Sequence, residues 1–248
     1  MRYKNFKQLL DGYYYPVTKR YSFMATSFED VVTEYWGWIC NNPYFKNAQE
    51  YYLEPRFIDC SLREGLDILD PIGYNQILFC ETRSKWTACF VSDGSELGIS
   101  SMAYSLNCQG VEVTLIEDTY DRKTDSGLHG CTRLRVIRDA RRTKFTDNTE
   151  RLLYVSKLDG GRWGFCSLGE PYSFENVECY TNPKITERFT PQMLNTYLNA
   201  MGIDVLDENF YCYKKALIDY KIKSPDSIYE KRTYASYHLE RRLKYGRE

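Results

Sequence analysis

The sequence predicts an α+β protein whose largely antiparallel central sheet, of about six or seven strands, is flanked by N-terminal and C-terminal helices. Two observations carry this. An early segment repeats its apolar residues at helical spacing, and from about residue 75 the apolar pattern becomes that of consecutive short strands. Helical spacing then returns near residue 190. With no internal repeat, low-complexity linker or break in composition, 1–248 reads as a single domain carrying a basic helical tail over 214–248.

The first helix rests on "SFEDVVTEYWGWIC", where Phe28, Val31, Val32, Tyr35, Trp36 and Ile39 fall on one stripe. Ser27 is its cap, Glu29 and Asp30 suit its positive end, and Asn41-Asn42-Pro43 stops it. A shorter helix is expected over Leu62 to Leu69. "NQILFCE" and "KWTACFVS" read as a pair of strands, "ISSMAYSL" as a short helix, and "VEVTLIE" and "CTRLRVIRD" as further strands between polar loops. "RLLYVSKL" and "RWGFCSL" form a hairpin through Asp159-Gly160-Gly161. If Trp163 in that hairpin is fully buried, Trp163→Ala should cost about 3–5 kcal/mol. "YSFENVECY" can add a strand. A second clear helix follows, capped by Thr190, with Pro191 in its first turn and Gly202 at its end. The tail from Asp226 carries a partial stripe of Ile228, Tyr229, Ala235, Leu239 and Leu243.

Composition narrows the functional classes. There are 33 Lys and Arg against 34 Asp and Glu, a net charge of −1, with 43% hydrophobic residues, which fits an ordinary globular protein and not a disordered one. Tyrosine is abundant, at 23 residues, and suits strands as well as protein interfaces. No stretch has signal-peptide character or the length of apolar sequence that spans a bilayer, so no membrane association is expected. Nine cysteines without a scaffold pattern point to reduced thiols and a cytoplasmic location.

Little in the chain has the spacing of catalysis. Two histidines, His129 and His238, and the lack of any Cys-x-x-Cys pair argue against a metal centre. The glycines at 160, 161, 164 and 169 do not make a phosphate-binding fingerprint, and there is no nucleophile elbow. His129 and Cys131 would share a strand face and can meet, though the generic reading is a loop histidine beside a buried cysteine. No cofactor is expected. A carboxylate pair would leave no local signature.

Two features are candidates for binding. Tyr13-Tyr14-Tyr15 before Pro16 is the densest aromatic run, and ordinary packing is its competing explanation. Arg133, Arg135, Arg138, Arg141, Arg142 and Lys144 stand against one acid, Asp139. Arg133 and Arg135 belong to one strand face and Leu134 and Val136 to the other. With the tail's ten Lys/Arg against five Asp/Glu, this stretch offers phosphate contacts. Nucleic-acid domains are usually strongly basic, however, and the whole chain is not.

In the order of its features, "LLYVSKLDGGRWGFCSLGEPYSFENVECYTNPKITERFTPQMLNTYLNAMGIDVLDENFY" resembles a group of uncharacterised bacterial cytosolic proteins. These include immunity proteins, which neutralise toxins delivered by neighbouring cells. The resemblance implies a non-catalytic protein that acts by binding another protein, such as a toxin domain. The alternative is a protein that binds or processes nucleic acid through 133–144 and the tail. A hydrolase with an unsignposted carboxylate or Cys131/His129 site is the third reading.

Overall fold

A computed structural model describes residues 8–43, 52–70, 72, 76–92, 103, 105–107, 110–119, 123–124, 127–128, 130–138, 149–157, 161–219 and 233–245. One antiparallel sheet of nine strands dominates them. In chain order its strands are β1 (Arg20–Met24), β2 (Arg56–Asp59), β3 (Ile77–Thr82), β4 (Thr87–Val91) and β5 (Val113–Thr119). Then follow β8 (Cys131–Ile137), β9 (Thr149–Lys157), β10 (Trp163–Leu168) and β11 (Tyr211–Ile218). Between them β6 (Lys123–Thr124) and β7 (Gly127–Leu128) pair only with each other. The spatial order is β10-β9-β8-β5-β1-β4-β3-β11-β2. The helices are α1 (Phe28–Asn41), α2 (Leu62–Asp67), α3 (Pro191–Ala200) and α4 (Tyr234–Tyr245).

The α+β class agrees with the sequence reading, but the sheet has nine strands, not six or seven. The additional ones are β1, β2 and β11. The strand expected at "YSFENVECY" is instead a turn followed by a 3-10 helix, Val177–Thr181. The expected helical tail also begins differently. Residues 214–218 complete β11, while α4 runs over Tyr234–Tyr245 and 220–232 lie outside the described residues.

Local chemistry explains the helix boundaries. Ser27 Oγ accepts the Asp30 amide at 3.2 Å, and Thr190 Oγ1 accepts that of Met193 at 3.2 Å. At α2, Ser61 and Glu64 form a reciprocal capping box. Past α3, Gly202 takes φ +82°, as a glycine beyond a helix end can.

Both faces of the sheet carry apolar cores. On one, Tyr21, Phe23, Leu78, Phe90, Leu134 and Leu153 meet α2, α3, Phe210 and Tyr234 of α4. On the other, Met24, Phe79, Cys89, Val113 and Ala216 meet α1, Tyr52 and the helical residues Ala103 and Leu106. Strands covered on both sides read as unbroken apolar runs, hence "ILFC" and "ACFV" in β3 and β4. Trp163 is only half-buried at the edge strand β10, with the Lys157 ammonium 5.6 Å from its ring centre. Its removal should therefore cost less than a fully buried tryptophan would.

Two buried charged groups shape the periphery. Arg151 of β9 is fully buried and forks onto Glu175, with Nε–Oε1 at 2.8 Å and Nη2–Oε2 at 2.6 Å. Its Nη1 donates to Ser167 Oγ and to the carbonyls of Leu168 and Gly169. Glu175 also accepts from the Tyr172 amide and the Tyr180 hydroxyl. This network fastens the segment after β10 over the same face as α3. At the other side of the sheet, β11 bulges between Tyr211 and Lys215. The buried Lys215 ammonium donates to the Cys60 and Cys212 carbonyls, each at 2.7 Å.

Candidate binding surface

The face beneath α1 is covered unequally. Met24, Phe79, Cys89, Val113 and Ala216 are sealed, whereas the same face across β8, β9 and β10 stays half-exposed among the described residues. Strand register sets out its side chains in rows. Arg20, Glu117, Arg133, Tyr154 and Cys166 are successive cross-strand partners over five strands. Beside them run Leu115, Arg135, Leu152 and Leu168. Leu168 is 54% exposed.

Glu117 ties the first row together. Its Oε1 lies 2.8 Å from Arg20 Nη2 and its Oε2 3.2 Å from Arg133 Nη1. The Arg133 guanidinium lies 5.7 Å from the centre of the Tyr154 ring. Arg135 Nε donates to Thr149 Oγ1 at 3.0 Å. Farther along β8's end, Arg138 reaches Glu112 at 2.7 Å and Glu150 at 2.8 Å, and Glu150 accepts from Tyr172. Burial, then the neighbouring Cys166, raises the Tyr154 hydroxyl above its ordinary value, so it stays a neutral hydrogen-bonding group.

The predicted residues are not all brought together. Arg133 and Arg135 stand in these rows and Arg138 at their end, while Arg141, Arg142, Lys144 and His129 lie outside the described residues. Of the tyrosine run, Tyr14 and Tyr15 are buried, Tyr14 edge-to-face against Tyr234 and Tyr15 bonded to the Asp118 carbonyl. Tyr13 is 59% exposed, and its carbonyl oxygen is 2.7 Å from His238 Nε2 on α4. That puts Tyr13 beside α4, whose Tyr234 packs on the opposite sheet face from the arginine rows.

Burial above all, with Glu117 adding to it, pushes the Cys131 thiol up to about 12, so it holds almost no thiolate at neutral pH. Among the described residues no group of three or more His, Cys, Asp or Glu side chains could hold a metal ion. Also among them, no helix is long and apolar enough to cross a membrane.

Sequence reasoning found Arg133 and Arg135 but missed Arg20, Glu117 and Tyr154. Only strand register aligns these three, and β1 carries no sequence signal strong enough to reveal that register. No protein-family model, curated protein or solved structure matches this chain.

Proposed function

We propose that the protein works by binding another protein through the half-exposed sheet face across β8, β9 and β10. The toxin-neutralising role implied by the resemblance to immunity proteins is the specific form we favour. The observation carrying the proposal is the pair of cross-strand rows that sets Arg133, Arg135 and Tyr154 beside Leu152 and Leu168 on one sheet face. Arginine and tyrosine are the residues that most often dominate interface energies, and a sheet holds them in place before the partner arrives.

The nucleic-acid alternative has less support. Arg133 and Arg138 already face Glu117, Glu112 and Glu150, so phosphates would have to compete with carboxylates. Tyr234 of the tail helix α4 packs on the opposite sheet face from Arg133 and Arg135.

The test is affinity capture from the native source, followed by titration of the captured protein. Tyr154→Ala and Arg133→Glu should each weaken binding by about 30-fold or more, the range of an interface hot spot. Unchanged affinity in both variants, or binding only to nucleic acid with strong salt dependence, would overturn the proposal.

A further inference from the structure

β10 ends the sheet, with no strand on its outer side among the described residues. The alternation of an antiparallel ladder shows which of its residues face that side. The Lys157 amide donates to the Gly130 carbonyl at 2.9 Å, toward β8. Lys157, Val155 and Leu153 therefore turn their backbone groups to β8, while Ser156, Tyr154 and Leu152 turn theirs to β10. The partners of these last three are Gly164, Cys166 and Leu168. Trp163, Phe165 and Ser167 thus direct their N–H and C=O groups outward. Among the described residues, no backbone hydrogen bond joins Phe165 or Ser167 to a segment beyond β10.

Sheet edges are usually blunted against pairing by shortness, charge, proline or a bulge. β2, at the other end, is four residues long and includes Arg56 and Asp59. β10 lacks these devices. Its six residues hold no charge and no proline, and they keep one register with β9 throughout. Two arginines stand beside it. Arg162 is exposed at its start. The Arg188 guanidinium lies 5.7 Å from the centre of the Phe165 ring, and its Nε donates to the Asn182 carbonyl at 2.7 Å. Arg20, Arg133, Arg138 and Arg151 each meet a carboxylate. Among the described residues neither Arg162 nor Arg188 does.

We propose that this edge takes one more strand, antiparallel like the rest of the sheet, from an extended acidic segment of a partner protein. Backbone bonds to Phe165 and Ser167 carry the pairing. Carboxylates three residues apart, opposite Phe165 and Arg162, meet the two arginines. A second copy of this chain fits less well, because symmetric pairing about Phe165 brings two Arg188 guanidiniums together. The edge adjoins the contact face proposed across β8 to β10, and the assignment of a protein partner rests on that proposal.

The probe is an acetylated, amidated six-residue peptide of threonine and valine with glutamate at its third and sixth positions, titrated into the isotope-labelled full chain and followed by NMR. It should bind with a Kd of about 1 mM or below and move the Phe165 and Ser167 amide signals more than those of β2. Lysine in place of both glutamates should weaken binding about tenfold or more. Ser167→Pro removes an outward donor and leaves the ladder to β9 whole, so it should weaken the peptide about tenfold, whereas Ser167→Ala should not. If the proline variant fails to fold, Arg162→Glu should reverse the preference between the two peptides. No binding, equal binding of both peptides, or unmoved Phe165 and Ser167 signals would overturn the proposal. A dimer in sedimentation that Ser167→Pro dissolves would overturn it too, in favour of a second copy. Partner binding that falls with Tyr154→Ala yet survives Ser167→Pro would overturn strand pairing alone and leave the contact face standing.

Discussion

Arg151 shows how much one residue can decide here. Burial opposes ionisation of Glu175, but hydrogen bonds from Arg151, Tyr180 and the Tyr172 amide outweigh it and hold the carboxyl below its ordinary value. A carboxyl lowered on folding stabilises the protein above its unfolded pKa, and that contribution fades as pH falls through the folded value. The wild type's stability against urea should therefore fall on acidification below about pH 5, and Glu175→Gln should flatten that dependence. The same substitution leaves the buried Arg151 charge without its partner, at a cost of about 3–5 kcal/mol at neutral pH. Neither the pair nor its segment is visible in the sequence, because Arg151 and Glu175 are 24 residues apart across a strand, a turn and a loop. Gly169 belongs to the same construction. It has φ +82°, and a Cβ there would lie 1.9 Å from the Glu150 carbonyl oxygen, so Gly169→Ala should destabilise the fold strongly in a thermal melt.

Among the elements, those announced by complete signals were legible and those defined by their neighbours were not. α1 carried cap, stripe and stop in the sequence and α3 cap and stop, and both formed where expected. β1 has only five residues, begins with arginine and has serine at its centre, yet it lies in the middle of the sheet. β11 is interrupted by Lys214-Lys215 and a bulge, which breaks the alternation a reader looks for. α2 offers a direct contest between local and tertiary effects. Gly65→Ala should gain about 1 kcal/mol of helix propensity. A Cβ there would stand 2.8 Å from Lys215 Cδ and 3.2 Å from Leu78 Cδ2, both in a packed interior. Overpacking of that kind costs about 1–3 kcal/mol, so the variant should be less stable than the wild type by differential scanning calorimetry.

At the scale of the whole molecule, the sheet is protected unevenly. β1, β3 and β4 lie beneath cores on both faces, and their amides should exchange with deuterium most slowly, while β2 and β10 should open first. The half-exposed end across β8 to β10 is thus both the proposed contact surface and the less deeply buried part of the sheet. Binding a partner there should slow exchange in β9 and β10, a check on the interface independent of affinity.

The buried Lys215 has a further consequence at the opposite edge. Its ammonium takes the place of solvent inside the β11 bulge and holds the carbonyl of Cys60, the residue just after β2. Replacing it with methionine would leave those carbonyls dry and loosen the four-residue strand that closes the sheet. Once β2 peels away, β11 presents an open ladder to any other chain. Lys215→Met should therefore give concentration-dependent aggregation in light scattering well before the protein unfolds.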